Sequence, residues 1–300
     1  MIYSVFTFNG ENAILKLHLS ILNDYVDKFI IVEANRTFTG EPKPYYLFRD
    51  YRYFKHWWKK IHYYMVDDWD DVGLWEQAIK SPNTQGAEHW KREWFIKESI
   101  HKALIDANVK DDDTLFIGDV DEIIDPTADF ESETPIKAKL RVYAYYLNNR
   151  SNEEFWGTLI CQYKDIKDKC LNNLRSDKSL YSKGNYLGWH FTSAGGIDEV
   201  RRKLNDSYSE DSYNTPQVQE LLEERFIRNE DYLGRNFVFK LDESEHPEWL
   251  KSNKDKLESI TDATLNQESK PSIQIEDQTI LQKENIINIS KSDSTSQESF

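Results

Sequence analysis

The chain has 300 residues, enough for one large α/β domain or two small ones with a sizeable core. Its formal charge of −15 argues against a nucleic-acid partner, because gripping phosphates takes clustered Lys and Arg. Nine Trp, seventeen Tyr and fifteen Phe make the apolar fraction unusually aromatic, so a core can form from few, large rings. Most such rings pack inside, yet ring faces are also what sugars stack on.

Only Cys161 and Cys170 are present. Their spacing forms neither a zinc pattern nor a disulfide framework, which points to a reducing compartment. The opening Met-Ile-Tyr-Ser-Val-Phe lacks a basic n-region and an apolar signal core. No apolar run reaches the about 18 residues of a membrane span. The expectation is a cytoplasmic protein, of a bacterium or of a virus-infected host cell.

In chain order, Ile2–Phe8 reads as a buried strand that breaks at Asn9-Gly10. Glu11–Leu22 carries Ile14, Leu15, Leu17, His18, Leu19 and Leu22 at helical spacing. Lys28–Glu33 is a second strand, so the first 33 residues predict a parallel βαβ unit. Gly40, Pro42 and Pro44 make 34–45 a loop. Lys60–Val66 reads as a third strand, Asp67–Asp71 as an acidic turn and Glu88–Ala107 as one helix. Thr114–Ile117 is a fourth strand that runs straight into Gly118-Asp-Val-Asp-Glu122. Further strands are expected at Lys137–Tyr146, Thr158–Tyr163 and Tyr186–Phe191, with helices at Ile197–Asn205 and Gln217–Arg228. From Asp262 onward Ser, Gln, Asn, Lys and Glu dominate, which predicts a disordered tail over 259–300. Ile286, Ile287 and Ile289 could nucleate a short strand or helix there, but disorder is the expectation.

The segment Gly118–Glu122 carries the most chemistry. In open α/β sheets ligands bind beyond the carboxyl ends of strands, and here three carboxylates arrive at such an end. They repel one another unless a cation sits among them, and hard divalent ions prefer oxygen ligands. A nucleoside diphosphate brings further anionic oxygens, so a bridging Mg²⁺ or Mn²⁺ neutralises both sides and acts as a Lewis acid on the departing diphosphate. A solvated turn with a helix N-cap is the plainer alternative. His190, between aromatics in Gly188-Trp-His-Phe191, can add a nitrogen to such a metal, although a lone His is more often a satisfied structural residue. Lys43, in the proline-stiffened loop Thr39–Pro44, suits phosphate as a point charge or is simply a surface lysine. Glu33 can accept hydrogen bonds from a ribose or base, a surface Glu being the commoner case. Glu93 and Lys97 stand at i,i+4, the spacing of an ordinary surface ion pair.

In their order along the chain, several stretches resemble glycosyltransferase family 17. They are Val5–Asn9, Val26–Asn35, Thr37–Pro44, Trp90-Lys-Arg-Glu93, Gly118–Ile123, Trp156-Gly157 and Gly188-Trp-His190, within roughly residues 1–250. The resemblance implies a GT-A-type fold, a Rossmann-like mixed sheet flanked by helices. A catalytic domain over 1–258 would divide into a nucleotide-binding half, 1–125, and an acceptor-side half, 126–258. It also implies a UDP-sugar donor, UDP-N-acetylglucosamine, a glycan acceptor, a divalent metal and inversion at the anomeric carbon. By carry-over Asp121 is the principal metal ligand, Asp119 lies near ribose or metal, and Glu93 belongs to the donor site. The family pattern has a Gln-Arg pair where Ile96-Lys97 stand, and the membrane anchor of the animal enzymes has no counterpart. Inverting transfer needs a carboxylate base; Glu154, just before Phe155-Trp156-Gly157, is the first candidate, with Asp198 and Glu122 behind it. Two other classes remain open: a glycan-binding module without catalysis, and a metal-dependent phosphate-ester hydrolase.

Overall fold

Strand β1 (Ile2–Thr7) is buried on both faces, as a central strand of a parallel layer must be. Alternation sends Tyr3 and Val5 to one side of the sheet and Phe6 to the other, and the same split recurs in β2 (Lys28–Ala34) and β4 (Thr114–Asp119). Two apolar layers result. The computed structural model that shows this describes residues 1–79, 88–129, 134–209 and 212–257, so the expected tail lies outside the described residues.

Helix α1 (Asn12–Leu22) buries Ile14, Leu15, Leu17, Leu19 and Leu22 against one layer. Each fully buried aliphatic side chain there contributes about 1.5–3 kcal/mol. The chain then passes through the short helices α2 (Tyr46–Arg49) and α3 (Tyr51–Phe54) to β3 (Ile61–Val66). Helices α4 (Val72–Ile79), α5 (Glu88–Glu98) and α6 (Ile100–Asp106) cover the opposite layer with Leu74, Phe95, Ile100 and Leu104. The single helix expected over 88–107 is divided at Ser99. The Ser99 hydroxyl donates to the Phe95 carbonyl at 2.9 Å and competes for that acceptor within the helix.

After β4 comes β5 (Glu122–Ile124), then the hairpin of β6 (Ile136–Ala144) and β7 (Asn149–Gln162). Strand β7 starts nine residues before the expected Thr158, because its first half is polar and lacks an apolar alternation to read. Helices α7 (Tyr163–Ile166) and α8 (Leu171–Ser176) lead to β8 (Gly188–Thr192). Helices α9 (Ile197–Ser207) and α10 (Pro216–Ile227), strand β9 (Phe239–Leu241) and α11 (Glu248–Ser252) complete the described chain.

The strand order is β3-β2-β1-β4-β7-β6-β8-β5, with β9 added alongside β7. Strands β3, β2, β1 and β4 are parallel, so the expected βαβ unit is present, and β4–β7 opens the antiparallel part of a mixed sheet. The chain runs outward from β1 to β2 and β3 and then returns to the other side of β1 as β4. That reversal leaves a crevice at the carboxyl ends of β1 and β4, where Thr7 and Asp119 are register partners.

Candidate functional site

A cavity of about 300 Å³ opens at this crevice. Its walls include Thr7 and Asn9 after β1, Lys43 after β2, Glu93 and Lys97 from α5, and Asp119, Asp121 and Glu122 after β4. Glu153 and Phe155 come from β7, His190 from β8, and Arg202 and Lys203 from α9. Arg36, Lys43, Lys97, Arg202, Lys203 and Arg235 match the six carboxylates of the lining, Glu11 included, in a chain with 53 acidic and 38 basic residues. The lining is thus charge-balanced on an otherwise acidic chain, a better setting for an anionic ligand than the average of that chain.

The acidic segment is held rigidly. His18 of α1 donates from Nδ1 to the Val120 carbonyl at 2.9 Å, while its Nε2 accepts from the Ser4 hydroxyl at 2.8 Å. The bond accepted from Ser4 requires an unprotonated Nε2, and so the neutral ring. Burial pushes the His18 pKa down to about 4, against the pull of the Val120 carbonyl and of Asp121. Beyond Asp121 the chain pairs with β8, so Glu122 faces His190 across the ladder and the Phe191 amide donates to the Asp121 carbonyl at 2.8 Å. Only glycine permits that pairing at position 188. A Cβ there would come within 2.2 Å of the Ile123 carbonyl oxygen.

The three carboxylates have different surroundings. Asp119 is gripped by Arg175, at 3.1 and 3.3 Å, and by Lys97 at 3.3 Å. Burial opposes its ionisation, but these two cations win and hold its pKa well below the usual range. Asp121 lies 3.4 Å from His190 Nε2 and 3.6 Å from Lys203 Nζ. The pair reinforces itself: burial disfavours charge on both, yet the carboxylate is held low and the imidazole is raised. Glu122 is buried against the Thr158 hydroxyl at 3.0 Å and Arg175 at 3.5 Å. Burial raises its pKa, with Arg175 opposing. A Cβ on Gly157 would meet its carboxyl carbon at 2.7 Å, so the glycine after Trp156 makes room for it.

Other expected residues lie elsewhere than expected. Glu93 and Lys97 are not a surface pair: their side chains are buried, 2.6 Å apart, and Lys97 reaches on to Asp119. Lys43 is likewise no surface lysine, since its side chain is 4 % exposed and its ammonium sits 2.9 Å from Glu33. Burial lowers its pKa, with Glu33 opposing. Glu33 is fully buried and accepts from Lys43, the Tyr46 and Leu47 amides and the Tyr63 hydroxyl. Those four bonds anchor the loop after β2, and the carboxylate does not line the cavity. Asp198 is on the outer side of α9, 91 % exposed at its side chain and 3.5 Å from Arg201. Glu154 points away from the cavity to Lys139 at 2.6 Å, whereas Glu153 lines it. Strand alternation puts neighbours on opposite faces, so the one-residue offset decides which carboxylate reaches the site.

Arg175, Lys203, Arg202 and Glu153 escaped the sequence reading. Arg175 is delivered by α8, whose first turn donates from the Leu171 and Asn172 amides to buried Glu98 at 3.2 and 2.7 Å. Lys203 stands on α9 and donates to the Thr192 hydroxyl at 2.9 Å. For Lys203 and Arg202, the run of three basic residues Arg201-Arg202-Lys203 on one amphipathic helix was the available signal. For Glu153, it was the period of two backward from Phe155.

A parallel β-layer with a pocket of balanced charge at its switch point is the place where α/β enzymes bind their ligands. The family model for Glycosyltransferase family 17 matches residues 1–244, and the chain belongs to that family. It is a glycosyltransferase, with a nucleotide-sugar donor and an acceptor as its substrates. Neither a curated protein nor a solved structure matches it. Among the described residues no helix is long and apolar enough to cross a membrane.

Proposed function

We propose that the enzyme transfers N-acetylglucosamine from UDP-N-acetylglucosamine to a glycan hydroxyl, with inversion and with the help of a divalent cation. The observation that supports this most is the pairing of Asp121 with His190 and Lys203 at the switch point. The donor sugar rests on the order of family-like segments from Val5 to His190.

With the proton of His190 Nε2 released, a carboxylate oxygen and an imidazole nitrogen 3.4 Å apart would form a donor set that Mn²⁺ or Mg²⁺ accepts, so Asp121 and His190 would fit the role of ligands. No group of three His, Cys, Asp or Glu suited to a metal occurs among the described residues, which leaves the remaining positions to diphosphate and water oxygens. Asp119 is a poorer ligand than the sequence implied, because Arg175 and Lys97 already engage it. Its role is to hold those cations in place. When bound, the ion acts as a Lewis acid on the diphosphate.

Lys203 and Arg202 face the same region from α9 and stabilise the negative charge gained by departing UDP. Phe8, Phe38, Tyr208 and Tyr213 offer ring faces for uracil and sugar. The acceptor oxygen forms its bond to the anomeric carbon as the bond to the UDP oxygen breaks. Glu153, beside Arg235 at 3.5 Å, is the base that takes the acceptor's proton. Glu122 is enclosed by Thr158 and Arg175 and acts by positioning Arg175.

The test is UDP release from a panel of UDP-sugars in Mn²⁺ or EDTA, with and without oligosaccharides ending in mannose or N-acetylglucosamine. Metal-requiring, acceptor-dependent release from UDP-N-acetylglucosamine is the expected result. Phosphate release without acceptor would point to a hydrolase instead, and glycan binding without nucleotide binding to a lectin-like module.

A further inference from the structure

Between the second and third strands the chain reads Tyr45-Tyr-Leu-Phe-Arg-Asp-Tyr-Arg-Tyr-Phe-Lys-His-Trp-Trp-Lys-Lys60. Helices α2 and α3 bury Leu47 and Phe54 against the sheet layer, with Tyr46 half-buried beside them, and turn Phe48, Tyr51 and Tyr53 outward. Phe48 is 67 % exposed, Tyr53 74 %, Tyr51 46 % and Trp58 37 %. Single exposed rings are ordinary, but four within eleven residues form a patch.

Cations are interleaved with these rings. Arg49, Arg52, Lys55 and Lys59 are exposed, and Asp50 is the one acidic residue of the stretch. Asp50 is engaged by Arg49 at 2.7 Å and by Asn12 at 2.7 Å. Arg52, Lys55 and Lys59 form no ion pair with a carboxylate among the described residues. The result is a locally basic, aromatic surface on a chain whose net charge is −15.

We propose that this α2–α3 surface docks the enzyme on an anionic lipid bilayer. Aromatic rings favour the headgroup boundary, where their apolar bodies leave water and polar tips stay hydrated. Basic side chains among them are drawn to anionic headgroups, and this attraction decays within about 10 Å at ordinary salt. The rest of the acidic molecule is therefore screened from the surface while the patch is in contact with it. A single-stranded nucleic acid is the less favoured occupant, because it would extend beyond the patch over a chain of net charge −15.

The experiment is flotation of the full chain with vesicles of phosphatidylcholine alone or mixed with phosphatidylglycerol. Binding to the mixed vesicles alone, reversed by salt, is the expected result. The double variants Phe48→Ser/Tyr53→Ser and Arg52→Glu/Lys55→Glu should each weaken it by about tenfold or more, with melting temperature and UDP release from a soluble acceptor reaction unchanged. The first variant removes rings and keeps charge; the second does the reverse. Failure of the full chain to float, retention of binding by both variants, or binding of single-stranded RNA in place of vesicles would each overturn the proposal. The readout needs no sugar donor, so its failure leaves the transferase reading untouched.

Discussion

Glu153 and Glu154 are adjacent and chemically identical, yet one lines the cavity and the other pairs with Lys139 outside it. Side-chain direction in a strand, not residue type, separates them. Glu153→Gln should lower turnover by about 10²-fold or more, the usual scale for loss of a general base, while UDP affinity stays within a factor of about three. Glu154→Gln should leave turnover near normal. Steady-state UDP release and calorimetry on both variants check this, and the reverse pattern would return the role to Glu154. His18 gives a second prediction at this scale. Its pKa is about 4 in the folded chain against about 6.5 for an ordinary histidine, so the unfolded chain binds the extra proton first as pH falls. The stabilisation is complete above pH ~6.5 and is lost progressively down to pH ~4, about 3 kcal/mol in all. Urea denaturation at pH 7 and pH 4.5 should show a smaller pH dependence in His18→Gln than in the parent. Equal dependence in both would mean that this ring is not held neutral.

The elements that were legible are those with local apolar patterning. The first βαβ unit and the strand before Asp119 carry their own signatures, because a central parallel strand needs an almost continuous apolar run. Strand β5 and the first half of β7 do not, since their burial comes from distant partners rather than from a repeating pattern. The same limit explains the site. The acidic segment and His190 stood out because a motif marks them. Arg175 was illegible because a helix of six residues, anchored by Glu98 more than seventy positions earlier, carries it in. The β5–β8 ladder is the element that joins these parts, and Gly188 is its weakest point for substitution. Gly188→Ala should destabilise the chain by about 2 kcal/mol or more, since the added carbon meets backbone rather than a movable side chain. It should also weaken UDP binding, because His190 is displaced from Asp121. A urea midpoint and a UDP affinity both unchanged would show that β8 shifts freely.

At the scale of the whole molecule, the matched region 1–244 contains every residue of the cavity lining. The parallel layer supplies Asp119 and Asp121, the antiparallel hairpin supplies Glu153, and α9 closes the site with Lys203 and Arg202. A leaving diphosphate would therefore meet cations from one part of the chain and the Asp121–His190 pair from another. The measurement that tests this most directly is calorimetric titration of UDP into the parent chain and Asp121→Asn, each in Mn²⁺ and in EDTA. The account predicts that the parent binds at least about tenfold more tightly in Mn²⁺, a difference of about 1.4 kcal/mol, and that Asp121→Asn loses this difference. Equal affinity in all four titrations would contradict it.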